Sequence, residues 1–369
     1  MSGRAKRSGK IEFMRFVFSL SIVCFHINID LWENKKSLGN FFSFFKEGQV
    51  GVEFFFLVSG YLMAMSAYKL QGSQNSISKN SIQFIYKKVI GFFPMHLIVF
   101  MIIYAVTIVG KHLSFTQSVA TFVNALPNLF LIQRIGIYVK PLSSVEWYLA
   151  AMLVGMSVIF PFLLKKYDTF SKIVAPILGT LLIGIITQQT GKLSAGNEWM
   201  FGDTVTKGQV RAIAELCLGV FSFEVVRYLR KLNLTKKDQM ILTVIEVSAY
   251  FIALLYSVSQ LSKRYQAYIL FILLVAVALS FSEVTYGNHL FNNRIVYFLG
   301  KLSLPIYLCQ DIARAFVKYM MVDFSIIIKV LVIFGGTIIL AVPVLFLSEK
   351  LKAQIIKKVD RLRHVKASN

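Results

Sequence analysis

Apolar residues run in blocks of roughly twenty, parted by short polar breaks, from residue 11 almost to the end of the chain. Ten blocks are long enough to cross a bilayer as helices: 11–29, 48–68, 89–110, 145–164, 171–187, 210–228, 240–259, 266–284, 296–317 and 325–347. The pattern predicts an all-α fold, a polytopic transmembrane helical bundle of about ten spans with both termini cytoplasmic. The block 296–317 is the weakest, because it holds Lys301, Asp311 and Arg314. Segment 118–133 is apolar but short and contains Pro127, which predicts an interfacial or re-entrant helix. Residues 1–347 read as one transmembrane domain, and 348–369 as a basic tail on the inner leaflet.

Charge placement sets the orientation. With the N-terminus inside, the inside segments hold 24 Lys and Arg, the outside segments 11, and the spans the remaining five. This is the bias of positive-inside topology. Trp32, Trp147 and Trp199 all fall at the outer boundary, as in an aromatic belt. The N-terminal Arg4, Lys6, Arg7 and Lys10 resemble the start of a signal sequence but precede no small-residue cleavage site, so a retained anchor is expected.

Composition agrees: 56% of the 369 residues are hydrophobic and only 16% charged, with a mean hydropathy of +0.65. A soluble domain carries about a quarter charged residues. The formal charge of +22 would suit nucleic acid, but the basic residues sit in loops between spans, and no RNA or zinc-finger motif accompanies them. Cys24, Cys217 and Cys309 are scattered in apolar stretches, with no disulfide framework. The five histidines lack metal-ligand spacing, and no phosphate or dinucleotide loop is present.

Ionisable residues inside spans are costly and point to function. The first span carries Arg15 and His26. Eleven helical residues turn about 1100° and rise about 16 Å, so the two side chains share one face at different depths. Arg15 falls near the cytoplasmic end and His26 near the outer end. Glu53 opens the second span at a depth close to that of His26, and Glu146 opens the fourth at the same level. Either carboxylate could orient the imidazole; solvation of a helix end is the plainer alternative. Ser59-Gly60 lets helices approach closely. Arg211 starts the sixth span from outside, where it could bind an anionic acceptor, or simply pair with Glu215 one turn on. Asp311 and Arg314 form a similar pair.

The Arg-x10-His spacing followed by Gly51-Val52-Glu53-Phe54-Phe55-Phe56-Leu57-Val58-Ser59-Gly60-Tyr61 resembles membrane-bound acyltransferase family 3. Further segments are similar to that family: Phe84-Ile85-Tyr86-Lys87-Lys88 leading to Phe93-Pro94, and Glu146-Trp147-Tyr148-Leu149 with Phe160-Pro161. So are Arg211-Ala212 with Glu215 and Gly219, and Leu299-Gly300-Lys301-Leu302-Ser303 with Tyr307-Leu308. The likeness covers nearly the whole chain. It departs where Lys87 and Lys88 stand for the family's frequent arginines, where Gln310 replaces a common His, and in lacking the extracytoplasmic domain some members carry.

The resemblance implies an integral-membrane O-acyltransferase that moves an acyl group, most simply acetyl, from cytoplasmic acyl-CoA to a hydroxyl of a surface polysaccharide, lipopolysaccharide or peptidoglycan. No permanently bound cofactor is expected; acetyl-CoA is a donor substrate. The expected partners are the lipid bilayer, acyl-CoA and a carbohydrate acceptor, with no nucleic acid; homo-oligomer formation stays open. Acyl transfer needs a base, and imidazole suits it, which singles out His26 as catalytic, with Glu146 and Glu53 beside it. Arg15, Lys87 and Lys88 are the candidates for donor phosphates, and Arg211 and Ser59 for the acceptor. A structural Arg15–Glu12 pair, a packing role for His26 and ordinary loop basicity at Lys87/Lys88 are the plainer readings of the same residues. Two rival functions remain: a proton-coupled transporter, and a non-catalytic family member that binds a lipid or partner.

Overall fold

A computed structural model describes residues 7–33, 44–133, 142–194, 196, 198–201 and 205–368, without the side chains of 360 and 362–368. Of the basic N-terminal residues, Arg4 and Lys6 lie outside the described residues.

The chain is an all-α polytopic bundle. Its helices are α1 (Gly9–Asn28), α2 (Gly51–Lys69), α3 (Ile77–Gly110), α4 (Phe115–Leu129) and α5 (Trp147–Lys165). The short α6 (Tyr167–Thr169) runs through a π-helical turn, Phe170–Val174, into α7 (Ala175–Thr190). A two-stranded antiparallel hairpin, β1 (Trp199–Met200) and β2 (Val205–Thr206), leads into α8 (Lys207–Leu229). Then come α9 (Lys236–Val258), α10 (Gln266–Ser282), α11 (Asn288–Phe291), α12 (Arg294–Met320) and α13 (Ile326–Ser368).

Among the described residues nine helical stretches are long and apolar enough to cross a bilayer. The tenth expected span is α8, which falls short on composition because it carries Lys207, Arg211, Glu215, Glu224 and Arg227. It can afford them because it is central rather than lipid-facing: it packs on α2, α5, α7 and α10. Gly60 of α2 and Gly219 of α8 meet at their crossing, where a Cβ on either would collide with the other backbone. A second group, α12 with α1, α3 and α13, completes the bundle.

Two boundaries differ from the expected ones. Helix α3 starts at Ile77, capped by the Ser76 side chain, so Lys87 and Lys88 lie on a helix and not in a loop. Its 34 residues reach about 51 Å, well beyond an apolar core of about 30 Å. Helix α13 runs unbroken from the last span through the basic tail to Ser368; no Gly or Pro follows Pro343 to stop it. Helix α4, at 15 residues too short to span, lies against α3: Tyr104 donates a 2.8 Å hydrogen bond to the Ser118 carbonyl.

Candidate active site

His26 and Arg15 lie on α1 toward its two ends; His26 meets α12 directly, and Arg15 is held by Glu12, which packs against α12. Gly300 of α12 leaves room for the Glu12 side chain, which a Cβ there would displace. Glu12 in turn accepts a 2.9 Å hydrogen bond from Arg15 Nη1. This is the structural pair the sequence allowed. Glu12 is the one hydrogen-bond partner of Arg15 among the described residues, and the guanidinium keeps 30% exposure. Lys88 of α3 is half-buried, with its ammonium 5.4 Å from the Phe84 ring. Lys87, one residue earlier on the helix, is exposed. Of the three donor candidates the fold half-buries Arg15 and Lys88 and leaves Lys87 exposed.

At the other end, His26 Nδ1 lies 3.0 Å from the Ile22 carbonyl and 3.0 Å from Gln310 Oε1. Gln310 Nε2 donates at 2.6 Å to the Tyr307 carbonyl, which fixes which amide atom faces the histidine. Both neighbours of Nδ1 are thus acceptors. The proton belongs on Nδ1, and Nε2 carries the lone pair. Sequence reasoning left Gln310 as a gap in the family pattern; here it sets the imidazole tautomer.

Neither Glu53 nor Glu146 touches His26, which corrects the expectation that one of them orients the ring. Glu53 is buried against Arg211, 2.6 Å away on Nη2, and also accepts from Gln266 Nε2. Arg211 Nε donates at 2.6 Å to Glu215, the intrahelical pair the sequence predicted. With 1% exposure and two carboxylates on it, Arg211 is not free to bind an acceptor; its work is to tie α2 to α8. Glu146 is buried with its Oε1 3.4 Å from His96 Nδ1, and His96 Nε2 donates to the Leu129 carbonyl at 3.1 Å. That contact holds the end of α4 against α3 and the start of α5. His96 escaped the sequence reading, although a histidine two residues after Pro94 in an apolar run is the signal that singled out His26.

Asp311, one residue past Gln310, caps the segment that launches α5. It accepts hydrogen bonds from Ser144 N at 2.6 Å, Val145 N at 3.2 Å and Ser143 Oγ at 2.7 Å. Arg314 Nη1 bonds Asp311 at 2.6 Å, as the sequence spacing predicted, while Nε and Nη2 grip both oxygens of Asp30 at 2.6 and 2.9 Å. The π-helical turn Ile29–Glu33 that ends α1 supplies Asp30. His26 is thereby fixed from above and from the side.

Between the two levels lies an aromatic wall. Phe55, Tyr148 and Tyr307 surround one another with ring centroids 5.7–6.4 Å apart. Ser59 shares a 3.2 Å hydrogen bond with the Tyr148 hydroxyl, and the Tyr307 hydroxyl donates to the Val145 carbonyl at 2.7 Å. Phe55, Ser59, Leu62 and Ser66, four of the five half-buried positions of α2, share one helical stripe. Ser59 thus faces the interior wall between the Arg15 and His26 levels. Among the described residues no group of three His, Cys, Asp or Glu side chains could hold a metal ion.

A bundle of helices long and apolar enough to cross a bilayer defines a multi-pass membrane protein. The chain belongs to acyltransferase family 3, whose acyltransferase domain matches residues 9–347. No curated protein and no solved structure matches it.

Proposed function

We propose that the protein transfers an acyl group, most simply acetyl, from acyl-CoA at the cytoplasmic end of the bundle to a carbohydrate hydroxyl at the outer end, in the cell's plasma or inner membrane. The observation that carries this reading is the His26 environment: two acceptors on Nδ1 leave Nε2 as the base. Nε2 takes the acceptor hydroxyl proton as that oxygen forms its bond to the thioester carbonyl. The C–S bond then breaks, and the departing CoA sulfur takes the proton back from the imidazolium. The reaction yields an ester and free CoA.

Arg15 and Lys88 suit the donor phosphates. Arg15 has a single hydrogen-bond partner among the described residues, Glu12, and keeps part of its surface open, so a phosphate can add a charge-assisted contact there. The acyl-pantetheine arm then follows the half-buried stripe of α2 past Ser59 toward His26. The helix rise of about 16 Å between the two residues matches an extended arm rather than a direct phosphate contact at the reacting centre.

The test is radiolabelled acetyl-CoA incubated with membranes containing the wild-type chain or His26→Ala, followed by mass spectrometry of the surface glycans. Wild-type membranes gain one acyl group per modified sugar, and His26→Ala membranes lose at least a hundredfold in rate. Transfer at the wild-type rate by His26→Ala would sink the base assignment. A glycan unchanged by removing the protein would sink the substrate class.

A further inference from the structure

At the His26 end of the bundle a cavity of about 890 Å³ opens among α3, α4, α12 and α13, near the upper limit for a small-molecule site. Its lining holds four cations, Lys111, Arg314, Lys318 and Lys329, against two acids, Asp30 and Asp311. Both acids are already closed by Arg314. Among the described residues the three lysines have no carboxylate within ion-pair distance. Lys329 is committed to the Val322 carbonyl at 2.7 Å, which pins the turn into α13. Lys111 and Lys318 instead converge on one ring: their ammoniums stand 5.6 and 5.5 Å from the centroid of Tyr319. Tyr319 packs against Gly110, where no Cβ would fit, so its place between α3 and α12 is fixed.

Topology does not explain this gathering. Positive-inside bias strips Lys and Arg from outer segments, and only 11 of the 40 remain there. Yet this outer cavity collects two of those 11 together with two of the five that lie within spans. Lysines that merely reach for headgroups point to lipid, whereas these line a concave site. The same cavity reaches Ser144 and Asp311, whose neighbour Gln310 holds His26.

We propose that the cavity binds an anionic glycan, with a carboxylate or phosphate of the acceptor seated between Lys111 and Lys318 beside Tyr319. This rests on the acyl-transfer reading for its meaning, since it names the acceptor's class, but it is tested by binding alone. An oxyanion there gains a charge-assisted contact from each ammonium. The neighbouring sugar hydroxyl then faces the Ser144 and Asp311 side, toward His26.

The experiment uses the full chain in nanodiscs of phosphatidylcholine, so that no anionic lipid competes. Binding is measured for tetragalacturonate, for its carboxyl-reduced neutral counterpart and for a glycerol-phosphate tetramer. Wild-type protein is expected to bind at least one charged probe ten times or more tighter than the neutral one, and less so as salt rises. The preferred charged probe tells carboxylate from phosphate. Lys111→Gln with Lys318→Gln loses the preference, and Lys111→Arg with Lys318→Arg keeps it, which separates charge from folding. His26→Ala keeps the preference too, so loss of acyl transfer and loss of acceptor binding are read apart. Equal binding of charged and neutral probes, binding of none, or a preference that survives the paired Gln substitutions overturns the proposal.

Discussion

Gln310, with the Ile22 carbonyl, keeps the His26 proton on Nδ1. Its Nε2 is bound to the Tyr307 carbonyl, so only its oxygen can face Nδ1. Replacing Gln310 with Leu removes one of two acceptors and leaves the Ile22 carbonyl. A hydrogen bond of this kind contributes about 1–1.5 kcal/mol, so kcat is expected to fall roughly tenfold, with KM for acyl-CoA unchanged. Steady-state kinetics in membranes check this, and a KM change without a kcat change would place Gln310 with the donor instead. At this scale a single sequence shows partners within one helix and hides those between helices. The i,i+4 pair Arg211–Glu215 and the i,i+3 pair Asp311–Arg314 were legible as spacing. The contacts His26–Gln310, Glu53–Arg211 and Asp30–Arg314 bridge 284, 158 and 284 positions, and no local rule brings such residues together.

Helix α8 shows how an element can be a span in place and polar in composition. Its Arg211 joins Glu53 of α2 and Glu215 of its own helix in a site with almost no solvent exposure. Removing the arginine strands two carboxylates where they cannot be hydrated. Arg211→Ala is expected to cost about 3–5 kcal/mol, read as a lower melting temperature in detergent and a lower yield from membranes. The triple change Arg211→Met, Glu53→Gln, Glu215→Gln removes every charge at once and should recover most of that loss. If Arg211→Ala melts like wild type but fails to bind acceptor, the arginine belongs to the site after all. Hydrophobic blocks gave the number and order of helices because burial in lipid demands a fixed length of apolar chain. They could not give the ends of α3 and α13, where helix continues past the apolar block. Those extensions depend on caps and on the absence of breakers, which hydropathy does not measure.

At the scale of the whole molecule, the proposed function puts two chemistries at opposite ends of one bundle, which a soluble acyltransferase does not need. Arg15 and Lys88 face the end where α1 begins, while His26 and the lysine-lined cavity face the end where α1 stops. On the proposed reaction acyl-CoA, too polar to cross the bilayer, is supplied from the Arg15 side and only its acyl end reaches His26. Sealed vesicles of defined orientation carry this prediction. With the cytoplasmic face inside, acetyl-CoA loaded in the lumen should acylate a glycan added outside, and acetyl-CoA added outside should not. Arg15→Ala should raise KM for the lumenal donor about tenfold, the loss of one charge-assisted contact to a phosphate, and leave acceptor dependence as it is. Donor accepted equally from both faces would mean that the bundle does not separate its substrates, and Arg15 would then revert to a purely structural partner of Glu12 on the floor of α1.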